Sequence, residues 1–98
     1  VTIIARNTHV AKSPQYPAGV DFAVIGRICV YEHEKDVIRI DNSFHHGSLG
    51  THIHFLDKQG EPVEFTDEIK NLTQALTHVE EYLRKRYAWL IEGENNAN

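Results

Sequence analysis

A single cysteine, Cys29, stands in 98 residues, so no disulfide can close within the chain. Secreted domains of this size usually depend on disulfides. No stretch approaches the roughly 18 apolar residues of a membrane span, and no charged-then-apolar leader opens the sequence. The expectation is a cytoplasmic protein with no membrane partner. An excess of positive charge is also missing. Ten Lys and Arg stand against 14 Asp and Glu, giving a net charge of −4 with neutral histidines and a pI of about 5.9. That balance excludes a bulk electrostatic grip on nucleic acid, though not a local cationic site. The sequence has no phosphate-cradling glycine loop, no dinucleotide fingerprint, no Ser or Cys nucleophile signature and no cysteine-rich zinc motif. These absences argue against ATP-dependent and nicotinamide chemistry.

Histidine is what the chain has in quantity: seven of them, which make its charge sensitive between about pH 5 and 8. Four lie between Ile38 and Phe55, adjacent at His45 and His46 and alternating at His52 and His54. Period-2 geometry puts Arg39 and Asp41 on one face of a first strand, and His52 and His54 on one face of a second. Ile38, Ile40, Ile53 and Phe55 then face the other way. The segment reads as a sheet with one apolar face and one face of His, Arg and Asp.

The remaining chain supports or covers that sheet. Ninety-eight residues make one domain, 1–98, small enough for a homodimer to help it. Residues 1–10 fit a short strand with an exposed end, and Pro14, Pro17 and Gly19 mark a loop. Val20 to Glu32 alternates as a long strand, with a bulge or bend at Gly26. Cys29, flanked by Ile28 and Val30, reads as a buried strand thiol. His33 to Asp36 reads as the turn of an antiparallel hairpin whose second arm is Val37 to Asp41. Asn42 to Gly50 is a long connection of the kind that often carries function. Thr51 to Leu56 is a further strand, Asp57 to Gly60 a turn, and Val63 to Phe65 a short edge pairing limited by Pro62. Ile69, Leu72, Leu76, Val79, Leu83 and Leu90 form one apolar stripe over roughly 24 residues. The stripe predicts a single long helix capped at Thr66 or Asp67 and ended before Gly93, with residues 94–98 as a frayed tail. The predicted fold is α+β: a meander of three to five antiparallel strands with one long C-terminal amphipathic helix on one face.

Three readings of the histidines follow. His52 and His54, with Cβ atoms about 7 Å apart on one strand face, can share zinc or another divalent transition metal, with His46, His45 or Asp41 completing the set. They can do acid–base work. Arg39 would recognise phosphate or carboxylate, Asp41 would orient an imidazole, and a histidine pair would move the protons of phosphodiester transfer without any metal. Or they are ordinary polar residues of an exposed sheet face. His9, His33 and His78, isolated in sequence, read as surface residues. Arg84, Lys85 and Arg86 compensate a helix dipole and are solvated, or with Tyr82, Tyr87 and Trp89 touch RNA or an acidic partner.

The run Val-Ile-Arg-Ile-Asp-Asn from Val37 to Asn42, a His/Gly linker, His-Ile-His at 52 to 54 and a single amphipathic helix together resemble the TumE family of prokaryotic toxin–antitoxin toxins. The resemblance covers roughly residues 20 to 90, its distinctive part being Arg39 to His54. It implies a growth-inhibiting protein encoded beside an antitoxin that binds and silences it. It assigns Asp41 and Asn42 to the family's Asp-Asn position, and His52 and His54 to its paired-histidine position, while His45 and His46 fall in a variable linker. Joined to the reading of the residues, it makes His52, His54, Arg39 and Asp41 the candidate catalytic set of a metal-independent ribonuclease. Arg39, Asn42, His45 and His46 are then its candidate substrate contacts. A metal-binding protein and a non-catalytic partner-binding module are the alternatives.

Overall fold

The structure is a computed structural model that describes residues 1–43 and 50–96. Five strands follow one another in a meander: β1 (Thr2–His9), β2 (Val20–Val30), β3 (His33–Asp41), β4 (Thr51–Phe55) and β5 (Val63–Thr66). Each is antiparallel to the next, and the sheet order is the chain order. Two helices follow, α1 (Leu72–Arg86) and α2 (Ala88–Asn96). The α+β meander is as expected; the single long helix is not.

Thr66 ends β5, and the helix begins only after Asn71. The Asn71 side chain accepts the Gln74 N–H at 2.8 Å, while Gln74 Oε1 accepts the Lys70 N–H at 2.7 Å. This is a reciprocal pair close to a capping box. It satisfies two backbone donors at the start of α1 that have no intrahelical partner. At the other end Tyr87 leaves helical geometry at φ −123° and ψ 29°, its N–H still donating to Leu83 O. The chain then resumes as α2, so Gly93 lies inside a helix and residues 94–96 are helical backbone.

The sheet buries one face against α1. Phe22, Val24, Ile38, Ile40, Ile53 and Phe55 meet Ala75, Val79 and Leu83, and Ile69 joins them from the connection before the helix. Leu72 and Leu76 of the predicted stripe are only half-buried, and Ala75 takes the centre. Small residues on both sides explain the close approach. A Cβ on Gly26 of β2 would stand 2.8 Å from Ile38 Cγ2 and 3.0 Å from Val79 Cγ1.

Gly26 also marks an irregularity, as expected, but the extra residue sits across from it. Between the pairs Gly26↔Ile38 and Arg27↔Asp36, β3 carries the additional Val37. Val37 and Ile38 are both wholly buried in the core, whereas strict alternation would have turned Val37 out. The hairpin turn is two residues earlier than the composition indicates. Val30 pairs with His33, and Tyr31 and Glu32 make the turn with φ of 51° and 67°. These are the left-handed signs of a type I′ turn, normally signalled by Asn-Gly. His33 to Asp36 is therefore strand, held to β2 by Arg27, which bonds Asp36 at 2.7 Å and faces Glu34 at 3.7 Å. Cys29, near the hairpin end, is exposed rather than buried. Among the described residues no helix is long and apolar enough to cross a membrane.

The Gly26 contact yields a stability prediction. Gly26→Ala should lower unfolding free energy by about 1–3 kcal/mol through overpacking against Ile38 and Val79, read as a lower urea midpoint at unchanged slope. An unshifted midpoint would mean that α1 backs away freely.

Candidate functional site

On β3 and β4, Ile38 pairs with Phe55 and Ile40 with Ile53, and these four face α1. The residues between them face away. Arg39 stands opposite His54 and Asp41 opposite His52, so the four predicted residues do share the face away from the helix. The neighbouring strands extend this pattern into two rows. One runs Arg6, Ala23, Asp41, His52, Phe65, and the other Ile4, Ile25, Arg39, His54, Val63.

Asp41 is the centre of the cluster. Arg39 Nε lies 2.9 Å from Asp41 Oδ2, and His54 Nε2 lies 3.4 Å from the same oxygen. The other oxygen, Oδ1, accepts the Ser43 N–H at 3.1 Å and stands 3.8 Å from His52 Nδ1. Exposure separates the four sharply. The side chains of His52 and Asp41 are 0% and 4% exposed, that of His54 is 18% and that of Arg39 is 44%. The His52 ring meets Phe65 edge-on at 4.8 Å and His54 at 6.4 Å. Instead of an open face of four polar residues, the sheet carries a buried Asp41–His52 pair with His54 and Arg39 above it. A buried carboxylate demands a cation or donors, and Arg39 with the Ser43 N–H meets that demand.

The chemistry open to solvent is thus that of His54 and Arg39. Asp41 Oδ2, 3.4 Å from His54 Nε2, orients the His54 ring, and Arg39 offers a fork of donors to an anion. For a metal, Asp41, His52 and His54 each offer a ligand atom, and these atoms lie within 4.8 Å of one another. Asn42, a predicted substrate contact, is committed to the backbone. Its Nδ2 donates to Val20 O at 2.8 Å and its Oδ1 accepts the Phe22 N–H at 2.9 Å, extending the β2–β3 pairing by one side chain. It positions Asp41 instead of reaching outward. His45 and His46 lie outside the described residues. His9, His33 and His78 are exposed, on β1, β3 and α1. A cleft of about 610 Å³ opens at the end of the sheet, on the helix side, between Phe22, Thr51, Ile69 and Lys70; Arg39, Asp41, His52 and His54 take no part in it.

A second polar cluster escapes the sequence pattern. Asp57, in the turn after β4, accepts the hydroxyls of Tyr82 at 2.6 Å and Tyr87 at 2.7 Å and the Arg86 Nε–H at 3.0 Å. Its side chain is only 5% exposed. Burial pushes this carboxyl up, but the two hydroxyls and Arg86 outweigh it and hold Asp57 below the usual carboxylate range. Burial and the bond to Asp57 push the Tyr82 and Tyr87 phenols up in turn, Tyr87 to about 12. For Tyr82, Arg86 and Tyr87 of the basic and aromatic run the acidic partner is thus internal, while Arg84, Lys85 and Trp89 are exposed. Asp57 fastens the end of α1 to the end of the strand that carries both histidines.

Because the folded-state pKa of Asp57 is depressed, its contribution to stability is present above the unfolded value near 4 and is lost as pH falls through the lower folded value. Asp57→Asn should therefore cost about 2–3 kcal/mol at pH 7. Urea titrations of both proteins should converge as the pH is taken well below 4; a gap independent of pH would deny the charge its role. Comparison with protein-family models, with curated proteins and with solved structures finds no match to this chain.

Proposed function

We propose that this protein is the toxin component of a toxin–antitoxin system, as its resemblance to the TumE family implies, and that it acts on RNA through His54 and Arg39. The observation that carries this reading is the convergence of an imidazole and a guanidinium on one carboxylate oxygen, with both side chains reaching solvent. The guanidinium binds the scissile phosphate, and its charge offsets that developing on the phosphoryl oxygens. His54, held by Asp41, takes the proton of a ribose 2′-hydroxyl as that oxygen attacks phosphorus. The bond to the 5′ oxygen breaks, the leaving oxygen gains a proton from water, and a 2′,3′-cyclic phosphate remains. Buried His52 does not touch the substrate in this scheme. It is a positioning residue beneath Asp41 and His54. A cognate antitoxin would silence the protein by covering this sheet face, and the target is cytoplasmic RNA.

Tightly controlled expression tests the reading. The wild type should arrest growth, and the product of the adjacent reading frame should restore it. In the purified protein His54→Ala should lower RNA cleavage by about 10²–10⁴-fold and Arg39→Ala by about 10²–10³-fold, with circular dichroism unchanged. Harmless wild-type expression would defeat the toxin reading. Arrest that survives His54→Ala would leave the toxin but remove this site from it.

A further inference from the structure

We propose that Asp41, His52 and His54 form a site for one divalent transition-metal ion, and that Arg39 is the displaceable cation which holds the carboxylate when the ion is away. The donor set is two imidazoles and a carboxylate, the set of a three-ligand site that keeps a position open. Ligands on a tetrahedral zinc ion, bound at roughly 2.0–2.2 Å each, stand about 3.3 Å apart. Here His54 Nε2 is 3.4 Å and His52 Nδ1 3.8 Å from the Asp41 oxygens, and all three ligand atoms lie within 4.8 Å of one another. Ångström-scale side-chain movement closes the set. The backbone need not move, because the ladder already places Asp41 opposite His52 and fixes His54 one pleat away.

The carboxylate is also held as ligating carboxylates are. Ser43 N–H donates to Asp41 Oδ1 at 3.1 Å, and such an outer bond fixes a ligand's orientation. The opposing feature is Arg39. Its Nε lies 2.9 Å from Oδ2, the oxygen that His54 faces. A guanidinium does not lose its proton, so it and a metal ion compete for the same negative charge. The Arg39 side chain is 44% exposed and can turn outward into water at small cost. The two occupants therefore exclude each other at Asp41, and removing the guanidinium should favour the ion. Under the ribonuclease reading, on which this consequence alone rests, a bound ion occupies the His54 nitrogen and withdraws the base.

Cobalt(II) titration of the untagged protein, read by visible absorption with zinc as competitor, tests the site without reference to RNA or growth. The wild type should bind one ion with the spectrum of a nitrogen- and oxygen-ligated site. Arg39→Gln should bind it about three- to tenfold more tightly, the measure of one partly exposed charge pair. His54→Gln and Asp41→Asn should each weaken binding at least tenfold, with melting curves identifying which variants are folded. Absence of one-ion binding in both wild type and Arg39→Gln overturns the proposal. So does binding that survives in whichever of the two ligand variants is folded, or a weaker Arg39→Gln complex. A positive titration beside a failed RNA assay would retain the metal site and discard the nuclease.

Discussion

A slip of β4 by one residue against β3 would turn His52 and His54 into the core and lift Ile53 and Phe55 to the opposite face. Every chemical property of the cluster depends on that slip not happening. What prevents it is apolar burial: Ile38, Ile40, Ile53 and Phe55 together supply on the order of 6–12 kcal/mol when covered, and α1 covers them only in the observed register. The helix can do so because Gly26 and Ala75 let it come close. A glycine on β2 and a buried alanine on α1 thus lie where the helix seats on the sheet whose register points the two β4 histidines away from it. Asp57 completes the constraint from the far end of β4, since Tyr82, Arg86 and Tyr87 hold it to the end of α1.

Once the register is set, the electrostatics are forced. Asp41 is nearly inaccessible, and an ionised carboxylate in that position requires compensation on the scale of several kcal/mol. Among the described residues, Arg39 stands at bonding distance as a cation and the Ser43 N–H as a neutral donor. Asn42 makes the Ser43 contact possible. By spending both ends of its amide on Val20 and Phe22, it carries the β2–β3 pairing past the last ladder residue and so fixes the turn at Ser43. The Asp-Asn pair at 41 and 42 is therefore one device, in which the second residue positions the first.

Period-2 alternation was enough to read the shared face of Arg39, Asp41, His52 and His54 from the sequence, along with the meander and the apolar seat for a helix. These depend on local pattern, and local pattern is what a sequence displays. The failures have a common physical origin in features without a local signal. Tyr31 and Glu32 adopt left-handed φ in a turn that contains no glycine or asparagine, so the hairpin is displaced by two residues. Val37 is an extra residue in β3 that parity counting would expel. The helix start was legible in Asn71 and Gln74, yet Thr66 and Asp67 offered the same chemistry five and four residues earlier. Its division at Tyr87 follows a tertiary bond from that tyrosine to Asp57. Burial of His52 and Asp41 was not legible, because alternation assigns a face and says nothing about what lies over it.

Two nearly buried carboxylates invite comparison, and the difference between them bears on function. Asp57 is satisfied from one direction by three donors at 2.6–3.0 Å, all from the end of α1 and the residue that follows it. Two of those donors belong to Tyr82 and Tyr87, which pack against the core, so the set cannot be dismantled without disturbing the end of α1, and it is a structural fastening. Asp41 has one donor at 2.9 Å on a side chain that reaches solvent, one backbone N–H at 3.1 Å, and two imidazole nitrogens at 3.4 and 3.8 Å. Its closest cation can leave without disturbing the core, and the two groups beside it are imidazoles, the commonest metal-ligating side chains. A carboxylate whose partners are close but replaceable is the arrangement expected where charge must change hands during function, which is why both proposed chemistries rest on Asp41 and not on Asp57.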